Sequence, residues 1–246
     1  MRTSDDTLHR APNRVAFVSQ QAETTMTLPA GHPRLTRRPF SQGELIADGL
    51  LHAAALLASI IGIAVLIVLI LLKRGGLELS AVVIYGIGLL AMFGFSAAYN
   101  LAPTSPLKWV LRRFDHSSIY LMIAGTYTPL LVLLGDPFWA ITLGVIVWAG
   151  AIGGIVLKVA LPGRFDRLSI GIYILLGGAA MIALRPMIER LPGPTLYLLL
   201  AGGVIYVAGV AFYAWKNLRF NNVIWHGFVS VAAGCHYAAI AYAMTV

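Results

Sequence analysis

The last apolar segment of the chain opens with two asparagines and, soon after, a histidine, in the run FNNVIWHGF from Phe220 to Phe228. Asn222 and His226 are four residues apart, so on a helix they share one face. The same spacing joins Ser96 and Asn100 at the end of an earlier apolar segment, FSAAYN. Asp115, His116, Ser117 and Ser118 stand together at the start of a third segment, and Glu44, Asp48 and His52 recur at every fourth position at the start of the first. Imidazoles and carboxylates are the groups that hold metal ions and move protons. An ionisable group at membrane depth costs about 2.5–3.5 kcal/mol on insertion scales and tends to mark function.

Each group also has a plainer role. Asp115, just ahead of an apolar run, has the place of a helix N-cap, which the helix dipole favours. Ser96 is small enough to let two helices approach closely. Trp225 and Tyr99 suit the aromatic belt at the membrane interface, and that reading is preferred for both. His226 could make an ordinary interhelical hydrogen bond. His236, on the order of 15 Å deeper along the axis, reads as a packing residue. The Glu44–Asp48–His52 stripe is a proton-exchanging cluster or a solvated helix start, and we read it as solvated. Taken singly, none of these signals is specific.

The elements that must position these groups are set by composition. Of 246 residues, 59% are hydrophobic and 11% charged, with a mean hydropathy of +0.80. Soluble domains carry about a quarter charged residues, so this is a membrane protein. The net charge of +8 suits a basic tail and short basic loops against an anionic leaflet, and no nucleic-acid motif accompanies it. The single cysteine, Cys235, lies in an apolar run, which excludes a disulfide framework.

Residues 1–43 are polar, with Pro12, Pro29, Pro33, Pro39 and six arginines, and read as a disordered basic cytoplasmic tail. Their longest apolar stretch, Val15 to Val18, is too short for a signal-peptide core of about 7–15 residues. Residues 44–246 read as one all-α domain, a polytopic bundle of seven transmembrane helices over 47–72, 80–101, 115–134, 138–158, 167–187, 195–215 and 223–244. The breaks between them contain glycine, proline or charge, which hydrocarbon tolerates poorly. Orientation follows from the basic residues. Arg34, Arg37, Arg38, Lys108, Arg112, Arg113, Lys158, Arg164, Arg167, Lys216 and Arg219 fall on the N-terminal side, against Lys73, Arg74, Arg185 and Arg190 on the other. The N-terminus is therefore expected to be cytoplasmic and the C-terminus outside. The polar groups of the first, second, third and seventh spans then gather at the cytoplasmic mouth.

With that layout, FSAAYN, FDHSSIYLMIAGTYTP and NVIWHGFVSVAAGCH together resemble the hemolysin III family, the bacterial branch of the progestin and adiponectin receptor (PAQR) superfamily. The resemblance covers Gly43 to Val246. It implies a cytoplasmic-side zinc site made of a Ser and a His four residues later, an Asp opening the third helix, and two His four apart in the seventh. Eukaryotic relatives with this architecture hydrolyse ceramide amides. Ser96, Asp115 and His226 match that pattern, but Asn100 and Asn222 stand at two of the three imidazole positions. An amide nitrogen has no lone pair to give zinc, and zinc sites prefer imidazole, thiolate and carboxylate.

The resemblance therefore implies a degraded zinc site, no cofactor held at the pattern positions, and a hydrogen-bonded cluster of Asn100, Asn222, His226 and Asp115. A compensating set from Asp115, His116, His226 or His52 stays open. The expected function is non-catalytic, in membrane-lipid homeostasis or lipid sensing, with membrane lipids as partners and no nucleic acid. The alternative is a zinc-dependent ceramidase-like amidase, with Asp115 as base, His226 as ligand or acid and Ser96 supporting. A cytolytic pore ranks last, since no long amphipathic segment supports it, and a transporter lacks a polar path across the bundle.

Overall fold

The structure, a computed structural model, describes residues 40–73, 75–103 and 105–246. Most of the expected tail, with Arg34, Arg37 and Arg38, and also Arg74, lies outside the described residues. The first helix, α1, spans Gln42–Lys73, so the tail boundary at 43 falls inside it. Ser41 and Glu44 start it with a reciprocal capping box. The Ser41 hydroxyl oxygen accepts from Glu44 N–H at 3.3 Å, and Glu44 Oε2 accepts from Ser41 N–H at 2.9 Å.

After α2 (Leu77–Leu101) comes α3 (Pro106–Leu133), which begins nine residues before the expected start at 115. Ser105 is its N-cap, accepting from Lys108 N–H at 3.3 Å, and Pro106 takes the first helical position, where a missing N–H costs nothing. Asp115 is therefore well inside the helix, and its N-cap reading is corrected. The charges of Lys108, Arg112 and Arg113 mark a helical interface rather than a loop. Long basic side chains can carry their charge away from the helix while it continues. Lys108 does so, donating to the carbonyls of Ala102 at 2.7 Å and Asn100 at 3.3 Å at the end of α2.

The chain continues through α4 (Pro137–Ala160), α5 (Asp166–Gly177), a 3₁₀ segment (Gly178–Ala183), α6 (Leu184–Arg190), α7 (Gly193–Ala214) and α8 (Asn221–Thr245). No strand occurs among the described residues. Among the described residues, six stretches are long and apolar enough to cross a membrane: α1, α2, α4, Leu168–Arg190, α7 and α8. The third helix, counted as a span in the sequence reading, is not among them, because the stretch that follows its charged first turns still carries His116, Ser117, Ser118, Tyr120, Thr126, Tyr127 and Thr128.

Its packing explains why it can be less apolar. α3 contributes Met122 and Leu130 to one core cluster, with Leu66 and Ile70 of α1, Val82, Tyr85 and Leu89 of α2, and Ile240 and Met244 of α8. It contributes Tyr120, Ala124 and Tyr127 to a second, with Val147 and Ala151 of α4 and Leu176 of α5. Glycines let it approach α2 closely. A Cβ on Gly88 would sit 3.1 Å from Leu121 O, and one on Gly125 would sit 3.3 Å from Ile84 O. The outer faces of the other helices instead present Leu50, Leu57, Leu72, Phe138, Tyr197 and Leu200, each more than half exposed. That is the surface a lipid solvent requires.

The 3₁₀ break between α5 and α6 frees backbone groups that hydrocarbon would leave unsatisfied. Tyr127 supplies both partners from α3: its hydroxyl donates to Gly177 O at 2.7 Å and accepts from Ala180 N–H at 2.8 Å. Tyr127→Phe should therefore destabilise the protein by about 1–3 kcal/mol, the cost of an orphaned buried polar group. Thermal unfolding in detergent checks this. A loss no larger than that of Tyr242→Phe, at a 41% exposed position, would refute the bridge.

Candidate functional site

The polar groups of α1, α2 and α8 meet at the end of the bundle where α1 begins. Glu44, Asp48 and His52 are buried, at 3%, 4% and 2% exposure, which corrects the reading of that stripe as solvated. Each reaches across to another helix or its lead-in. Glu44 Oε1 accepts from Phe220 N–H at 2.9 Å, at the start of α8. Phe220 has φ 59°, a left-handed conformation unusual for a bulky residue, and this contact helps hold it. Asp48 Oδ1 lies 2.6 Å from His226 Nδ1, and Asp48 Oδ2 accepts from Asn222 Nδ2 at 3.1 Å.

His52 Nδ1 lies 2.8 Å from the Asp48 carbonyl oxygen, which can only accept, so Nδ1 carries a proton and donates. Its Nε2 is 3.1 Å from Ser96 Oγ. The rings of His52 and His226 meet edge to face, with centroids 4.4 Å apart. Asn222 Nδ2 also donates to Asn100 Oδ1 at 3.1 Å, and Asn100 Nδ2 donates to Ser96 O at 2.9 Å. The amides thus link three helices, in keeping with a group that both donates and accepts.

Ser96, Asn100, Asn222, His226 and His52 are therefore brought together, and Asp48 joins them. Asp115 and His116 belong to a different cluster. His116 lies 3.9 Å from Asp115 on one side and 3.9 Å from Asp166 on the other. Asp166, the first residue of α5, accepts from Lys158 Nζ of α4 at 2.7 Å and from Arg112 Nη2 of α3 at 2.5 Å. Of the other expectations, Tyr99 is buried under the Lys108 ammonium rather than facing lipid, at 3% exposure. His236 packs between helices, its Nε2–H donating to Leu199 O of α7 at 3.2 Å.

The sequence carries a signal for Asp48. A carboxylate at every-fourth-residue spacing between Glu44 and His52, on a helix otherwise apolar, is costly to leave unpartnered. What it lacked was the partner on α8.

The residues able to hold a metal ion differ from the pattern positions. Asn100 and Asn222 hold the places of two imidazoles, and their amide nitrogens, which have no lone pair to give, donate hydrogen bonds instead, so the three-imidazole zinc set does not fit. One ligand atom each from Asp48, His52 and His226 lies within 4.8 Å of the others. A cavity of about 20 Å³, lined by Leu51, His52, Phe93, Ser96, His226, Val229 and Ser230, adjoins the imidazoles. A smaller one, about 10 Å³, lies beside Glu44, Asp48, Asn100, Phe220 and Asn222. Each is of the order of a single water.

A helical bundle with six stretches long and apolar enough to cross a membrane, and a buried His–Asp–Asn centre, is that of a multi-span membrane protein. Residues 44–237 match the model of the haemolysin-III-related family, and the chain belongs to that family. It is 38% identical to Hemolysin-3 of Bacillus cereus over 80% of this chain and 90% of that protein. It is 36% identical to the Hemolysin-3 homolog of Bacillus subtilis (strain 168), over 77% and 89%. The human monocyte to macrophage differentiation factor is 31% identical over 64% of this chain and 67% of its own length.

The Asp166 cluster yields a pH dependence. Burial raises the Asp166 pKa, but the hydrogen bond from Lys158 and the charges of Arg112, Lys158 and His116 outweigh it and hold the carboxyl below its usual value. A carboxyl depressed in the folded state stabilises the fold above its unfolded value, near pH 4, and loses that contribution as pH falls through the lower folded value. Acidification below about pH 4 should therefore lower the melting temperature more in the parent than in Asp166→Asn, which should already be less stable at pH 7. Parallel acid limbs in the two proteins would exclude this cluster as the cause.

Proposed function

We propose that this protein is a non-catalytic component of the cell membrane that acts in membrane-lipid homeostasis or lipid sensing. The observation carrying the reading is that Asp48, His52, Ser96, Asn100, Asn222 and His226 hydrogen-bond to one another. The spaces beside them are of water size, about 20 and 10 Å³. Hydrolysis of an acyl amide needs the scissile carbonyl to reach the reacting groups, within about 3–3.5 Å. This centre is filled by its own partners instead. The apolar outer faces of the helices support membrane lipids as the partners.

In this reading the apolar part of α3 is the seventh span, enclosed by its neighbours. The N-terminus is cytoplasmic and the C-terminus outside. Lys108, Arg112, Arg113, Lys158, Arg164, Lys216 and Arg219 support that orientation, since all belong to the ends or links on the side where α1 begins. Pore formation, which the relatives' name Hemolysin-3 suggests, draws no support from the evenly apolar helices. The amidase alternative would need a substrate path to the His52–His226 pair.

Two measurements on protein in lipid nanodiscs separate these readings. Asp48→Ala and Asn100→Ala should lower thermal stability and reduce co-purifying lipid by several-fold, because each orphans buried donors or acceptors, at about 1–3 kcal/mol per group. The parent should release no fatty acid from N-acyl sphingoid lipids above the protein-free rate. Fatty-acid release that disappears in Asp48→Ala would overturn the non-catalytic reading in favour of the amidase.

A further inference from the structure

We propose that Asp48, His52 and His226 form a binding site for one divalent transition-metal ion of zinc-like ligand preference. The site bridges α1 and α8 and does not use the pattern positions Asn100 and Asn222 as ligands. It does not depend on the lipid-homeostasis reading. Two imidazoles and a carboxylate are a set that zinc and related ions accept with a position left for water. All three side chains are buried, and their ligand atoms lie within 4.8 Å of one another. Zinc bonds of about 2.0–2.2 Å place tetrahedral ligand atoms about 3.3 Å apart, so side-chain adjustments of about 1 Å suffice.

The surroundings match what such ligands need. A metal-binding imidazole usually donates its other N–H to a carbonyl or carboxylate, which fixes the ring and leaves one lone pair for the ion. His52 does this through Nδ1 to Asp48 O at 2.8 Å, leaving Nε2 as the basic nitrogen of the neutral ring, beside Ser96. The cavity of about 20 Å³ is lined by both imidazoles together with Ser96 and Ser230, so an ion or its water would meet oxygen as well as nitrogen.

Asn222 anchors Asp48 Oδ2 at 3.1 Å, while Oδ1 lies on the His226 side, 2.6 Å from its Nδ1. The amides that replace imidazoles in the pattern thus orient the carboxylate. A buried Asp48 also gains from a cation, since a carboxylate out of water is costly until it is paired. An ion joined to α1 and α8 would tie together helices that the hydrogen bonds already draw close.

The test uses the full-length protein in detergent, stripped with chelator and reloaded with Zn²⁺ or Co²⁺. One ion per chain is expected by elemental analysis. Co²⁺ should give the visible d–d absorption of a low-coordinate nitrogen–oxygen site, and the melting temperature should rise with zinc and fall back with chelator. His52→Gln and His226→Gln should each weaken Co²⁺ binding at least tenfold, while His236→Gln, at a packing position on α8, should bind as the parent does. If the glutamine variants fail to fold, the reversible zinc-dependent melting shift and cobalt spectrum of the parent decide the matter. A parent that takes up neither ion, or that binds equally in His52→Gln, overturns the site. So does binding abolished by Asn100→Ala but kept in His52→Gln, which would return the ion to the pattern positions.

Discussion

A carboxylate buried in an apolar bundle must be satisfied by whatever the fold can bring to it, and Asp48 imposes that constraint on three helices. It sits nearly two turns inside α1 and accepts from Asn222 while contacting His226, both on α8. Asn222 in turn reaches Asn100, and His52 reaches Ser96, so α2 is drawn into the same centre. Unpaired, such a group would cost several kcal/mol. Satisfied, it fixes how α1, α2 and α8 approach at one end. Glu44 extends the arrangement outward, capping α1 and holding the backbone N–H of Phe220 at the entrance to α8.

A second set of charges does comparable work on the other half of the bundle. Arg112, Lys158, Asp166 and His116 join α3, α4 and α5 through one carboxylate. α3 belongs to both halves. It packs against α2 on one side and against α4 and α5 on the other, and its Tyr127 closes the 3₁₀ break between α5 and α6. A helix surrounded by protein does not need an apolar face for lipid, which is why α3 tolerates polar residues that the outer helices do not.

Much of this was legible beforehand. Long apolar runs ended by glycine, proline and charge located the helices to within a few residues, apart from the start of α3. There the pair Ser105–Pro106 carries an N-cap signal that a reading of the segment as a charged break passes over. The grouping of Ser96, Asn100, Asn222 and His226 was legible from their spacing and the alternation of helix direction. The part played by Asp48 was not. A carboxylate near a helix start looks the same in sequence whether it faces water or a neighbouring imidazole.

Amino-acid order alone determined that this is an all-helical membrane protein, because runs of about 20 apolar residues can be satisfied in lipid only as helices. It also determined that amides stand where the resemblance implies imidazoles, since residue identity needs no coordinates. Tertiary structure decided which acid faces those amides: Asp48 rather than Asp115. That choice depends on which helix lies beside α8 and on the rotation of each helix about its axis. Both are set by packing between segments more than a hundred residues apart, which the periodicity of any one segment does not encode.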